Sequence, residues 1–550
     1  MMTLTERIEV AATRGAKVTF INGDDHDTVP WAQIHEEAKA MAAALQEAGV
    51  EVGDHVAVLG PTTRPLVTLI QAAWFAGAAI VVLPLPMRLA SIDEFVAQTR
   101  ARVLRADTRL LVVDDQLDGF VEAQAGDPDR IVLQDLAARG AELGASSLKP
   151  IVPDPDRLAI LQFTSGSTSE PKGVMLPHRV VCANLDGLTD TGKLQDDDVF
   201  VSWLPLYHDM GLVGLLGTPM TFGRDLVLGA PQDFTARPAR WMEWLSTYGG
   251  TVTAGPNFAW ALATRALKRG GDYDLSRLRI ALNGAEPIDA DSVRAFVAEA
   301  EQYGMRPGAV FPAFGMAELA IAGTFPAPLA GLQTDRVDLK VLETERLATP
   351  VAEGHANAKE YALLGTPIPG LEMRIVDPVD GRELRDREVG ELLIRGTSVT
   401  TGYYQNPEAT EALLHDGWLH TGDLAYMLDG QLVICGRIKD VIIVGGRNIF
   451  PEDVERAAAH IDGVRAGNVI AFGVAGRGGN EAMVVVAETS ATDGLDDVRK
   501  NVHDVAKRVT GLPPQDVVLV LPGALPKTSS GKLQRSLCRE RYQTDELISA

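Results

Sequence analysis

The stretch Thr164-Ser165-Gly166-Ser167-Thr168-Ser169-Glu170-Pro171-Lys172-Gly173 follows an apolar run, Leu158 to Phe163. The run reads as a buried strand. The stretch after it is mostly small hydroxyl and glycine residues closed by one lysine. A loop of this kind can turn several backbone N–H groups toward one anion, which is how phosphates are cradled. The spacing departs from a Walker A loop, because Lys172 is followed by Gly173 where that motif has Ser or Thr. The residues alone leave two readings: a phosphate grip of another kind, or a surface Ser/Gly turn.

Outward from this loop, helical and strand patterns alternate over about the first 430 residues. Trp31 to Gly49 reads as an alanine-rich amphipathic helix, His55 to Leu59 as a short buried strand and Leu66 to Ala76 as a helix. Ile80 to Leu85 and Leu110 to Asp114 read as strands, and Ala236 to Tyr248 and Asp289 to Tyr303 as long helices. Such alternation predicts a parallel, doubly wound α/β architecture. Near residue 370 the texture changes. Glu372 to Asp377, Gly390 to Arg395 and Gln431 to Cys435 read as strands separated by turns, a β-rich subdomain. Another change falls at Gly436 to Asp440. Beyond it come a strand (Val441 to Val444), a helix from Pro451, strands at Asn468 to Val474 and Ala482 to Glu488, a helix at Leu495 to Thr510 and a strand at Val517 to Leu521. That predicts a small α+β domain of ordinary size.

At 550 residues the chain is too long for one compact core. Its net charge of -23 argues against nucleic acid or an anionic membrane as main partner. Cys182, Cys435 and Cys538 fit no metal or disulfide spacing, so a reducing cytoplasm is the simplest setting. Met1 to Val10 has no apolar leader region, and the most apolar stretch, Pro65 to Met87, is interrupted by Gly77 and prolines. No integral membrane association is expected.

Several polar clusters stand just after strand-like runs. Ile280 to Leu282 precedes Asn283-Gly284-Ala285-Glu286-Pro287, and Ala309 to Ala313 precedes Phe314-Gly315-Met316-Ala317-Glu318. Trp418 to His420 precedes Thr421-Gly422-Asp423, and Gln431 to Cys435 precedes Gly436-Arg437-Ile438-Lys439-Asp440. Near the end stands Leu525-Pro526-Lys527-Thr528-Ser529-Ser530-Gly531-Lys532. In open α/β sheets ligands bind beyond the carboxyl ends of strands, so these clusters are expected to converge.

Together, and in this order from about residue 30 to 540, these motifs resemble the adenylate-forming superfamily: acyl-CoA synthetases, luciferases, peptide-synthetase adenylation domains and fatty acyl-AMP ligases. The resemblance implies an N-terminal adenylation domain over residues 1–436, a hinge over 437–440 and a mobile C-terminal domain over 441–550. It implies attack of a carboxylate on the α-phosphate of ATP, with Mg²⁺ present. The loop residues Thr164, Ser165, Gly166, Ser167, Thr168 and Lys172 would hold the β- and γ-phosphates. Glu318, with Thr164, would serve the Mg²⁺, a hard cation that prefers oxygen. Phe314 would stack on adenine, with Gly284 and Ala285 lining the base and Gly315, Met316 and Ala317 completing that wall. Asp423 would accept the ribose hydroxyls, backed by Arg437. Lys532 would bridge the substrate carboxylate and α-phosphate, and Lys527 would order its loop. His208 lies where relatives place an aromatic or imidazole near the acyl carboxylate. Lys439 falls at the family's hinge, about which rotation would exchange the two half-reactions.

Three features resemble the fatty acyl-AMP ligase branch. One is the wording Tyr207-His208-Asp209-Met210-Gly211-Leu212, and a second is Gly446-Arg447-Asn448-Ile449-Phe450-Pro451. The third is residues 319 to 364, which look like that branch's insertion, implied to restrain the C-terminal domain and disfavour CoA. A surface loop in a CoA ligase is the other reading, since loops tolerate insertion cheaply. The first expectation is therefore a fatty acyl-AMP ligase, which passes its acyl group to the phosphopantetheine thiol of an acyl carrier protein or polyketide synthase. The alternative is an acyl-CoA synthetase; a distant one is an inactive nucleotide- or acyl-binding protein.

Overall fold

The computed structural model describes residues 2–85, 92–119, 124–164, 171–444, 447–476, 481–528, 532–547 and 550. Two largely parallel sheets dominate the first part of the chain. The larger has seven strands in the order Val310–Pro312, Ile280–Asn283, Val252–Gly255, Val199–Ser202, Asp225–Gly229, Lys17–Asn22, Asp25–Pro30. Only its last pairing, Lys17–Asn22 with Asp25–Pro30, is antiparallel. The second has six strands in the order Asp129–Val132, Thr108–Val113, His55–Leu59, Ala79–Val82, Leu158–Phe163, Gly173–Pro177. One large apolar core runs under both sheets, with helices such as Trp31–Glu47 and Arg64–Phe75 packed against it. This is the expected α/β class. The chain reversals do not follow the simple strand-then-helix scheme everywhere. Leu158–Phe163 and Gly173–Pro177 pair antiparallel, with Phe163 opposite Gly173. The strands that flank the Ser/Gly stretch are thus antiparallel neighbours at the sheet edge.

Prolines explain where elements fall short of their sequence expectation. Ala79–Val82 stops before Pro84, which cannot donate to a ladder. The helix expected from Ala236 is broken at Arg237, which is extended (φ -146°) because Pro238 follows, and resumes as Ala239–Tyr248.

Beyond residue 370 the strands Leu371–Val376, Gly390–Gly396, Trp418–Leu428 and Gln431–Arg437 pair antiparallel in sequence order. The chain then forms a three-stranded sheet of Val464–Ala475, Glu481–Thr489 and Asp516–Val520. Its strands read as runs of valine and alanine because both faces are covered. One apolar cluster, with Ile442, Val454 and Val502, packs one face; another, with Phe472, Leu525 and Cys538, packs the other.

Residues 319 to 364 are folded, not a loose loop. Thr334–Asp338 and Ala358–Ala362 form an antiparallel pair, and Leu339–Glu345 is a helix capped by the Asp338 carboxylate on Lys340 N and Val341 N. Val337, Leu342 and Tyr361 share an apolar cluster with Tyr426, Cys435 and Phe450. The insertion thus contacts both the β-rich strands and the start of the C-terminal part.

Candidate active site

The carboxyl ends of the parallel strands and the turns of the later sheets open onto one cavity of about 450 Å³. Its lining includes Thr164, Lys172, His208, Gly284, Ala285, residues 314 to 318, Arg437, Lys439 and Lys532. The sequence clusters converge as the parallel topology predicts. Ser165, Gly166, Ser167 and Thr168 lie outside the described residues. The neck of their loop is fixed: Thr164 N donates to Lys172 O at 3.0 Å.

Two glycines and one alanine carry the wall around residues 283 to 323. Ala285 sits at φ +75°, a left-handed conformation that costs a residue with a Cβ and marks functional turns. A Cβ on Gly315 would overlap the Ile321 carbonyl, so only glycine lets Met316 N reach Ile321 O at 2.9 Å. The ring of half-buried Phe314 packs over Gly323, where a Cβ would lie 2.8 Å from it. Phe314 is thereby held in place with part of its face free.

Glu318 is buried on the short turn Ala317–Leu319. Tyr403 Oη donates to its Oε1 at 2.7 Å, and Thr400 N donates to its backbone carbonyl at 2.7 Å. Burial pushes the Glu318 carboxyl above the usual range, opposed by that hydrogen bond and by Arg437. Lys172 Nζ lies 4.8 Å from the centre of the Tyr403 ring. Tyr403 therefore links the loop lysine to the buried acid. Sequence reasoning passed it over, although Gly402-Tyr403-Tyr404 stands beside an extended run; a lone tyrosine carries no spacing signal.

Asp423 and Arg437 face each other across the antiparallel pair, and Arg437 Nε donates to Asp423 Oδ1 at 2.9 Å. Asp423 is 5% exposed; burial pushes its carboxyl up while Arg437 pulls it down. The Arg437 side chain remains 45% exposed and lines the cavity, whereas Asp423 is held behind it and is not among the lining residues. Asp423 is also fixed by Thr421, whose Oγ1 accepts from Asp423 N at 3.0 Å.

Lys532 reaches the cavity from the C-terminal part. Residues 529 to 531 lie outside the described residues; beside them, Thr528 N donates to Lys532 O at 2.8 Å, and Lys527 Nζ to Asn468 Oδ1 at 2.6 Å. Burial lowers the Lys532 ammonium below its ordinary value, and the carboxylates of Asp209 and Glu286 oppose that. His208 Nδ1 lies 2.6 Å from Asp209 Oδ1. Burial works against charge on Asp209, yet His208, Lys532 and the Met210 N–H hold its carboxyl below the usual range. The sequence motifs mark His208 and Lys532, but not the influence of Asp209 and Glu286 on the lysine. Both stand inside the quoted motifs, but nothing in spacing says that a residue near 209 meets one near 532.

The arrangement combines fixed cations at two sides of a cavity, a buried acid and a carboxylate–guanidinium pair. It suits an anionic, oxygen-rich ligand with a hydroxylated sugar. A match to the AMP-binding enzyme model spans residues 8–404. The chain belongs to the AMP-binding enzyme family. Among relatives of this AMP-binding enzyme is a Mycobacterium tuberculosis protein named as a ligase, 38% identical over 95% of this chain and 96% of that protein. The long-chain-fatty-acid–AMP ligase FadD26 of Mycobacterium bovis is 34% identical over 94% of this chain and 92% of its own length. A structure solved in a study of fatty acyl-adenylate ligases from E. coli and L. pneumophila superposes with a TM-score of 0.92 at 30% identity, covering 99% of this chain and 98% of the other.

The family implies a divalent cation. Among the described residues no group of three acidic, cysteine or histidine side chains forms a metal cage. Glu318 fits a different mode. One oxygen is occupied by Tyr403, and one buried carboxylate suits Mg²⁺, which keeps water and phosphate oxygens as its other ligands. No helix of the described residues is long and apolar enough to cross a membrane.

Proposed function

We propose that this AMP-binding enzyme activates a fatty acid with ATP and hands the acyl group to the phosphopantetheine thiol of a carrier protein. In the first step a carboxylate oxygen attacks the α-phosphorus, the bond from that phosphorus to the bridging oxygen breaks, and pyrophosphate leaves with the electron pair. Lys532 is the observation that carries the reading: a depressed lysine stands at the same cavity as Glu318, Arg437 and the Gly284–Ala285 turn. Two anions must approach, and a fixed ammonium between them stabilises the charge that moves in the transition state. The carboxylates of Asp209 and Glu286 favour the charged form of that ammonium, and His208, held by Asp209, faces the entering carboxylate. Asp423 takes the ribose hydroxyls with Arg437 beside it, and Phe314 with Ala285 encloses the base. Thr164, Lys172 and the loop between them take the β- and γ-phosphates. Glu318 would hold Mg²⁺, which when bound neutralises phosphate charge.

We further propose the boundary at residues 437–440, with Lys439 at the pivot. The insertion supports carrier protein over CoA as acceptor. Glu343 forms an ion pair with Arg447 and accepts from Asn448 Nδ2 through its backbone at 2.9 Å, and Lys359 forms an ion pair with Asp453. These contacts join residues 319 to 364 to the segment that must rotate for the second step. The test supplies ATP, Mg²⁺ and fatty acid with either CoA or holo carrier protein, and identifies products by mass. Acyl-carrier protein with little acyl-CoA is expected. Efficient acyl-CoA formation would replace the proposed acceptor by CoA.

A further inference from the structure

Beside the polar residues, the cavity is lined by apolar side chains from the larger sheet. Its sheet wall follows from the register. Val252 pairs with Ile280, Ala254 with Leu282, and Leu282 with Phe311. Alternate residues of a strand share a face, and these side chains line the cavity as one apolar wall. The segment Met210–Gly217, a π-helix in which Thr218 N donates to Val213 O, also contributes to the lining. π-Helices are rare and occur mainly at functional sites. Gly214 lines the cavity from this segment. A Cβ built on it meets only Ile321 Cγ1, at 4.0 Å. Open space therefore lies beside Gly214 that a larger side chain would fill.

Arg279, which also lines the cavity, is held in a buried ion pair. Arg279 Nε donates to Asp198 Oδ1 at 2.7 Å and its Nη1 to Gly192 O at 2.8 Å. Asp198 also accepts from Thr251 Oγ1 and Gln195 N, each at 2.7 Å. The Arg279 and Asp198 side chains are 8% and 1% exposed. Removing one partner of such a pair leaves an uncompensated buried charge, so this pair is fixed and does not swing aside. From Gly284 down to Arg279 the strand measures about 16 Å, at about 3.3 Å per residue. An extended chain advances about 1.2 Å per bond, as the polypeptide backbone does, so about 12 to 14 carbons match the length of strand from Gly284 to Arg279.

We propose that the Arg279–Asp198 pair forms the floor of the acyl site and, with the open position at Gly214, restricts this enzyme to acyl chains of medium length, of the dodecanoate class, with Gly214 as a specificity-determining residue. The proposal rests on the fatty acid adenylation proposed above. The test is acid-dependent ATP–pyrophosphate exchange for straight-chain acids from butanoate to eicosanoate, in the wild type, Gly214→Leu and Gly214→Ala. The wild type is expected to peak near dodecanoate and to fall by about ten-fold or more at octadecanoate, since even one unaccommodated methylene is worth about ten-fold. Gly214→Leu is expected to lower the dodecanoate-to-hexanoate ratio by about ten-fold or more, with Gly214→Ala intermediate. The ratio is read within each protein, so a smaller folded fraction cancels. If Gly214→Leu is inactive with every acid, the Gly214→Ala ratio decides. Octadecanoate exchange equal to dodecanoate, or one ratio across the proteins, overturns the proposal. No exchange in the wild type with any acid would instead overturn the adenylation reading, and this proposal with it.

Discussion

Lys532 concentrates the chemistry at the scale of single residues. On the proposed mechanism, Lys532→Ala lowers the rate of acyl-adenylate formation by roughly 10²–10³, the usual cost of losing one fixed transition-state donor. Single-turnover adenylate formation measures it. The pH dependence follows from sign. Burial lowers the ammonium pKa from its ordinary 10.5, so its charge is lost at lower pH than for an exposed lysine. Adenylation should therefore fall on the alkaline side as pH rises through that depressed value, and Lys532→Arg should move the fall upward, because arginine stays charged. An alkaline limb at the same pH in both proteins would remove Lys532 as its source. Tyr403 gives a second prediction. Tyr403→Phe removes the 2.7 Å hydrogen bond to buried Glu318 while keeping the ring under Lys172. A hydrogen bond to a charged group contributes about 1.5–3 kcal/mol, so the Mg²⁺ concentration for half-maximal rate should change by about ten-fold or more. A Mg²⁺ titration of the exchange rate checks it.

Between elements, the insertion is the informative case. Glu343, with its side chain 2% exposed, meets Arg447 from the C-terminal part. Glu343→Ala should loosen that contact, so that acyl-CoA formation rises while adenylate formation persists; a restraint weakened by about 1.4 kcal/mol corresponds to about ten-fold. Equal acyl-CoA rates in the two proteins would separate the insertion from acceptor choice. The insertion's length was legible in the sequence, but its partners were not. Thr334–Asp338 pairs with Ala358–Ala362 across a wide gap in sequence, and Leu342 packs with Phe450. Local periodicity carries no information on such contacts. The alternation of helices and strands was legible because apolar runs recur at fixed spacing, and so were the glycine-rich turns after strands. The sheet order was not. Lys17–Asn22 pairs with Asp225–Gly229, and Arg279 closes on Asp198, only because the chain crosses over between them. The same holds at the site. The candidates Phe314, Glu318, Asp423 and Lys532 stand in motifs, whereas Tyr403 is a candidate only through Glu318, far along the chain.

Across the molecule, the proposed hinge segment is tied to the C-terminal part by charge. Arg535 Nη1 donates to Asp440 Oδ2 at 2.6 Å, and its Nη2 to Glu455 Oε1 at 2.9 Å. Burial pushes the Glu455 carboxyl up to about 7, with Arg535 opposing it. Arg535→Ala would leave these acids unpaired and should destabilise the C-terminal part by about 3–5 kcal/mol, read as earlier unfolding in denaturant or faster proteolysis there. This network ties Asp440 to the same C-terminal part that carries Lys532. The most direct test is ATP–pyrophosphate exchange dependent on added fatty acid, without CoA or carrier protein, in the wild type and Lys532→Ala. The account predicts fatty-acid-dependent exchange in the wild type that is nearly abolished in the variant. Absence of exchange with every fatty acid, or equal exchange in the two proteins, would contradict it.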